Sequence, residues 1–528
     1  LILSAAIILR VLVLASGAVS FHSDEAIVGL MARHINAGLP IPTFFYGQVY
    51  MGSLDPLLIS VMFRVLGDSV QTIHITESLL YLLIIVTTVL LARRLSGRRW
   101  IAIAAGLLVA LPPVVLTLYT TMTLGGYGET LLFGNLILLI GYDVTGEREN
   151  SLWRWALLGL ITGVGWWTDG LIVVYAFPVV LFGLRRASLR HWYRYGVAAL
   201  LFVIGGAPWW IYNLTHQWEA LHWLIGGLQS DSGVSFSIGD RALGLIFVGL
   251  PAAIGIRYSW TAQYWAGLLS ALVITVYLIA LAYGIRMALS RRKRGARQAD
   301  RIETTQTQHS IRFVMVALGS FALIFVVSAF GSDATGRYMT PLIPTLSILL
   351  AMFGYALQRV SRVLAYGVIG GLLIFGLVGS FAAMSTIPPG ITSQFDPIND
   401  FRNDSDQAVI DFLLAHHGTR GYGTYWVEFR LAYLSHEQVI LDAWLPNKAS
   451  LLYTPLDRRY PPYTQAVAAA DRPVYVTANV PALDAIIAAR FEQASITYQK
   501  QRIGSYMVFY DLSQKVTPDA LGLDALGH

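Results

Sequence analysis

The 528-residue sequence contains no cysteine, which excludes a disulfide framework, a thiolate metal site and a cysteine nucleophile. Charge is also scarce. Asp, Glu, Lys and Arg together make up 13% of the chain against 55% for hydrophobic residues, and soluble proteins carry about twice that charged share. A mean hydropathy of +0.58 with so little charge excludes an ordinary soluble globule and indicates an α-helical polytopic membrane protein. Residues 400–514 contain no glycine-rich nucleotide fingerprint and no metal-ligand motif; no cofactor is predicted, and a divalent metal is optional and not predicted. The formal net charge of +6 is gathered in a few short loops, which argues against a nucleic-acid partner.

What is present is a succession of apolar runs. Leu1 to Val19 is apolar except for Arg10, Ser4 and Ser16, long enough at about 1.5 Å per residue to cross hydrocarbon. It lacks a small-residue cleavage site and reads as a retained helix, and because the chain opens at Leu1 without Met a short preceding segment is expected. Residues 20–69 are broken by Gly38, Pro40, Pro42, Gly47, Gly52 and Pro56. They read as two interfacial helices, about Ala26 to Ala37 and Leu57 to Leu66, joined by an aromatic loop with Phe44, Phe45, Tyr46 and Tyr50. Further spans are expected at Val70–Ala92, Ile101–Tyr119, Thr130–Tyr142, Trp155–Trp167, Leu171–Leu184, Tyr195–Trp210, Tyr264–Leu289, Ile311–Phe330, Tyr338–Gln358 and Val363–Met384. Three of these are short, which requires protein or a water-filled cavity beside them.

Basic loops set the orientation. Arg93, Arg94, Arg98 and Arg99; Arg185, Arg186, Arg190 and Arg194; Arg286 with Arg291, Arg292, Lys293 and Arg294; and Arg359 with Arg362 belong on the cytoplasmic side. Keeping all of them inside makes residues 242–256 a non-spanning segment and gives eleven spans, with the N-terminus inside and the C-terminus outside. On that topology Asp24, Glu25, Asp55, Glu129, Asp169 and Asp333 all fall at or near the outer ends of spans.

Five features of this outer face carry possible chemistry. Asp24-Glu25 lies just beyond the first span, where a carboxylate can serve as a base on a substrate held half in lipid or simply charge the first turn of the next helix. Thr120 to Thr130 is a glycine-rich loop that suits either a tight turn or an anion cradle, and it includes Tyr127 and Glu129. Trp166-Trp167-Thr168-Asp169-Gly170 is a sharp turn with interfacial tryptophans and a carboxylate suited to capping. Asp333 to Pro341 sets Arg337 and Tyr338 at the mouth of a span, and a lipid phosphate is the partner that an arginine fork fits best. The outer loop 213–241, with His216, Trp218, His222, Trp223 and Asp231, has the aromatics of a sugar site. Beyond Ser385 the pattern changes to alternating helix and strand, a small α/β domain outside the membrane in which Tyr422, Tyr425, Trp426 and Glu428 either contact carbohydrate or pack on the sheet.

The Asp24-Glu25 pair, the two interfacial helices, the short middle spans and Arg337-Tyr338-x-x-Pro341 together resemble the polytopic GT-C-type glycosyltransferases that use polyprenyl-phosphate sugars. That class includes protein O-mannosyltransferases and the transferase that adds aminoarabinose to lipid A. The resemblance covers roughly residues 1–384 and leaves 385–528 as an appended extracytoplasmic domain. It implies a bacterial cell-envelope enzyme that inverts the sugar as it moves it from a polyprenyl-phosphate donor to the hydroxyl of a lipid, glycan or protein acceptor. By resemblance Asp24 is the general base and Arg337 holds the donor phosphate. The candidate site is then Asp24 and Glu25 as catalytic carboxylates, with Arg337, Tyr338, Tyr127, Glu129, Asp169 and Tyr46 binding substrate. A ligase or polymerase using a lipid-pyrophosphate donor and a membrane transporter are the competing classes; paired inverted repeats with breaks near the midplane would favour the transporter.

Overall fold

Apolar runs in lipid must satisfy every backbone N–H and C=O internally, and helices do so. The computed structural model describes residues 1–146, 151–184, 192–226, 236–290, 298–386 and 390–527. Arg185, Arg186, Arg190, Asp231, Arg291, Arg292, Lys293 and Arg294 lie outside the described residues. Among the described residues four helices are long and apolar enough to cross a membrane: Val70–Ser96, Leu268–Leu289, Gln306–Val327 and Arg362–Met384. A fifth crossing results if Trp192–Gly205 and Ala207–Thr215, bent by 67° at their junction, form one span. The chain is thus a multi-pass α-helical membrane protein with a C-terminal α/β domain.

The other expected spans differ from the sequence reading in instructive ways. Helix α1, Ile2–Ala15, stops short of Val19. Its buried Arg10 is held by the Thr117 carbonyl at 3.0 Å and the Thr120 hydroxyl at 2.8 Å, and lies 4.4 Å from the centre of the Tyr81 ring. The run 101–119 is cut at Pro112-Pro113 into Arg99–Ala110 and the short Val114–Leu118. Two of the short middle spans gain residues at both ends, to Tyr127–Val144 and Leu152–Thr168, and the third is a 3₁₀ turn, Gly170–Ile172, running into Val173–Leu184. Leu152–Thr168 packs backbone to backbone on Trp192–Gly205, since a Cβ at Gly159 or Gly163 would strike the Ala198 or Phe202 carbonyl. Residues 238–253 are helical with a π turn at Leu245–Gly249.

Helices α2, Ser23–Asn36, and α3, Leu54–Leu66, occupy the stretch read as interfacial, and the 27-residue α4 is Val70–Ser96. Most of α2 is buried, packed between α3 and the C-terminal domain. That domain is a five-stranded sheet of β1 (Arg420–Thr424), β2 (Ile440–Leu445), β3 (Val474–Ala478), β4 (Gln499–Ile503) and β5 (Tyr506–Tyr510), in the order β2-β1-β3-β5-β4. The first three strands are parallel, and β5 joins them antiparallel and pairs with β4 in a hairpin.

The helix between β1 and β2, Tyr425–Leu434, lies on α2. Ser23 donates to the Tyr425 carbonyl at 2.6 Å, Arg33 to the Tyr433 carbonyl at 3.2 Å, and Asn403 clasps both main-chain groups of Phe21 at 3.0 Å. Gly29 admits the Tyr433 ring where a Cβ would come within 2.5 Å of it. These contacts dock the domain directly above the acidic pair.

Candidate functional site

The start of α2 decides what its two acidic residues are free to do. His22 caps the helix, its Nδ1 accepting the Asp24 N–H at 3.2 Å, so neither carboxylate is consumed as the cap. Successive helical side chains diverge by about 100°, and the two carboxylates accordingly part company. Glu25 is fully buried, accepts from the Thr123 N–H at 3.3 Å and pairs with His74 Nε2 at 3.0 Å. Asp24 turns into a cavity of about 160 Å³ beneath the C-terminal domain.

The cavity wall is drawn from widely separated parts of the chain. Besides Asp24 it is lined by Tyr50, Tyr127, Asp169, Arg337 and Tyr338 from the membrane part and by Arg459 from the C-terminal domain. Asp24 Oδ1 accepts a short hydrogen bond from the Tyr425 hydroxyl and lies 4.0 Å from Arg459 Nη1. Among the described residues no donor meets Oδ2. Arg337 lies across from it in a turn that Thr335 and Asp333 brace, 4.8 Å above the Tyr338 ring and 3.5 Å from Asp333 Oδ1. The buried Arg257 fixes that turn from behind, donating to the carbonyls of Ala334 at 2.6 Å, Thr261 at 2.7 Å and Val248 at 3.1 Å. At the mouth Tyr50 stacks on Trp223 with ring centres 3.9 Å apart. Burial raises the Tyr50 phenol, and the charges of Arg459 and Arg337 both oppose that rise.

Of the residues expected in the site, Asp24, Tyr127, Asp169, Arg337 and Tyr338 share this cavity, whereas Glu25, Glu129 and Tyr46 lie outside its lining. Glu129 is buried behind it, and Tyr46 meets His34 Nδ1 at 2.8 Å while stacking on Tyr460 at 4.4 Å. The glycine-rich loop forms a tight turn, with Gly125 and Gly126 at φ of +106° and +80°. The anions it meets are the protein's own: the Thr123 main chain binds Glu25 and its hydroxyl binds Asp55. Sequence reasoning missed Arg459 and the bond between Tyr425 and Asp24. Among the described residues no group of three or more His, Asp or Glu is arranged to hold a metal.

Asp169 combines a cap with a place in the cavity. Its Oδ1 accepts the Leu171 N–H at 2.8 Å. Burial pushes its carboxyl from 3.8 up to about 6, with the Leu171 N–H and Arg337 acting the other way. The folded protein therefore holds this proton more tightly than the unfolded chain, and the associated stability is lost as pH rises from about 4 through 6. Asp169→Asn preserves the cap and removes the titration. Thermal unfolding in detergent across that range should show a smaller loss of stability with rising pH in the variant than in the wild type.

Comparison with known proteins gives the same architecture. A family model described as dolichyl-phosphate-mannose-protein mannosyltransferase matches residues 54–212. No curated protein matches the chain. The crystal structure of ArnT from Cupriavidus metallidurans bound to undecaprenyl phosphate superposes with a TM-score of 0.59 at 12% identity, covering 97% of this chain and 97% of that one. The apo state of the same protein gives 0.58 at 12% identity, over 95% and 97%. At such identity the likeness is one of fold. The chain has the fold of ArnT.

Proposed function

We propose that this protein is an inverting glycosyltransferase that moves a sugar from a polyprenyl-phosphate donor to an acceptor hydroxyl on the outer face of the membrane. The observation that carries this reading is the meeting of Asp24 and Arg337, remote in sequence, in one cavity between the membrane helices and the C-terminal domain. A carboxylate and a cation across a cavity supply what the reaction needs. Asp24 Oδ2 takes the proton of the acceptor hydroxyl as its oxygen attacks the anomeric carbon from the face opposite the phosphate. The bond from that carbon to the phosphate oxygen breaks, and the electron pair leaves with the polyprenyl phosphate beside Arg337. Glycosidases need a second acid for the leaving oxygen, but a phosphate leaves unprotonated. Tyr127, Tyr338 and Asp169 are positioned to contact the sugar or its phosphate, and Glu25 supports the helix that presents Asp24. Dependence of turnover on a polyprenyl-monophosphate sugar, with a pyrophosphate-linked oligosaccharide inert, tests the donor class; the reverse preference would make the protein a ligase.

The eleven-span topology, with residues 385–528 outside and the N-terminus inside, belongs to the same proposal. Lacking cysteine, the protein can be labelled at single introduced thiols. Asp404 is 65% exposed in the C-terminal domain, and Val360, between Arg359 and Arg362, is 80% exposed. In intact cells Asp404→Cys should react with an impermeant thiol reagent and Val360→Cys should not. Labelling of position 360 from outside would invert or break the topology.

A further inference from the structure

The sequence of Arg458-Arg459 gives the two arginines the same standing, but the structure separates them. Arg458 is fully engaged inside the C-terminal domain, binding both oxygens of Asp442 at 3.0 and 2.7 Å and lying 4.1 Å from the Trp444 ring. Arg459 leaves that domain and enters the cavity. Its side chain is 18% exposed, yet among the described residues its five N–H groups meet no hydrogen-bond acceptor. The contacts that hold it are the Tyr425 ring, 4.7 Å from the guanidinium carbon, and Asp24 at 4.0 Å, beyond hydrogen-bond range. Its main chain is gripped from the membrane side: Gly47, at φ +67°, lies so close that a Cβ there would come within 2.7 Å of Arg459 Cα. A nearly buried guanidinium, rigidly placed and without hydrogen bonds, is built for an anion that arrives.

We propose that Arg459 is a second cation for the leaving polyprenyl phosphate, so that the C-terminal domain completes the active site; this rests on the glycosyltransferase reading above. Charge explains why one arginine is insufficient. The donor is a phosphodiester with one negative charge, which Arg337 balances. Transfer converts it to a monoester whose second proton has a pKa of about 6, leaving a dianion at neutral pH. In the same step the acceptor proton neutralises Asp24 as the electron pair of the anomeric C–O bond moves onto the phosphate. One unit of negative charge thus crosses the cavity from Asp24 to the phosphate. Arg459, beside Asp24, is the cation freed by that transfer and available to the product.

The test uses purified full-length protein, a polyprenyl-phosphate sugar as donor and free polyprenyl monophosphate as competitor. In the wild type the competitor should bind more tightly as pH rises through about 6, when the dianion forms. In Arg459→Gln this tightening should disappear, and single-turnover transfer should fall by about 10²-fold, the usual cost of one preorganised donor to developing charge. Arg459→Lys retains the charge, so it should keep the pH-dependent tightening while transferring more slowly than wild type; it also serves if the glutamine variant does not fold. Wild-type rates and an unchanged pH dependence in Arg459→Gln, or loss of the tightening in a folded Arg459→Lys, would overturn the role of Arg459 alone. A wild-type protein that neither binds the competitor nor consumes the donor would overturn the glycosyltransferase reading beneath it.

Discussion

Asp24→Asn should reduce sugar transfer by roughly 10²-fold or more, the usual range for loss of a general base, while the protein stays folded and still binds donor. The substitution suits the question because His22, not Asp24, caps α2. Asparagine keeps the size of the side chain and can still accept from Tyr425 through its amide oxygen, so the docking of the C-terminal domain is preserved. What it loses is the ability to take a proton. Glu25→Gln should behave differently. Glu25 is buried, bound to His74 and Thr123, and outside the cavity, so its loss should register in thermal stability and only weakly in turnover per folded molecule. Single-turnover transfer normalised to folded protein separates the two. A large loss confined to Glu25→Gln would move the base by one residue.

Arg337→Ala should lower the rate of transfer by about 10²- to 10³-fold, because in the proposed reaction it removes the cation that holds the donor phosphate and stabilises that phosphate as it departs. Arg337→Lys should fall between alanine and wild type. Lysine keeps the charge but lacks the planar fork that holds two phosphate oxygens and stacks on the Tyr338 ring. Structural damage is a small part of either effect: the Arg337 side chain is 42% exposed and pairs only loosely with Asp333, and Arg257 holds the turn independently. Donor affinity and single-turnover rate, measured for both variants, should fall together in alanine and the rate should fall more than the affinity in lysine. Wild-type values for both would make Arg337 a residue that merely snorkels at the membrane surface.

The parts of this site legible in the sequence are those that stand out against apolar surroundings. Asp24 and Arg337 interrupt or flank long hydrophobic runs, where charge is costly and calls for a reason. Arg459 has no such background. In the loop after β2 a pair of arginines reads as ordinary solvated surface, and only the folded domain shows that one of them passes into the cavity. The choice between Asp24 and Glu25 is likewise a matter of helical phase against a specific neighbour, Tyr425, some four hundred residues away in the chain.

The fold shows the same division. Long apolar helices such as Val70–Ser96 and Arg362–Met384 follow directly from composition, since hydrophobicity alone drives them. The short helices run past their apolar signal: a Gly-Tyr-Gly-Glu start, as at Gly126–Glu129, carries none, although the chain is helical from Tyr127. In the C-terminal domain the sequence pattern predicts helices over Gln407 to His416 and Ala482 to Phe491 and strands over Pro473 to Thr477 and Ile503 to Leu512, and the helices Asp406–Ala415 and Pro481–Gln493 and the strands β3 and β5 lie there. Strands β1 and β4 did not announce themselves. β1 reads Arg-Gly-Tyr-Gly-Thr, two glycines in a fully paired central position, and β4 is a polar, mostly exposed edge strand whose Lys500 and Arg502 discourage further pairing.

The measurement that bears most directly on this reading follows a polyprenyl-phosphate sugar of defined anomeric configuration through a single turnover in membranes containing the protein. Release of polyprenyl monophosphate can be read without knowing the acceptor, and the anomer of the glycoside formed reports the stereochemistry. The expected result is release of the monophosphate with inversion at the anomeric carbon by the wild type, and its near absence with Asp24→Asn. Retention of configuration, or equal release by wild type and Asp24→Asn, would contradict a single displacement with Asp24 as its base.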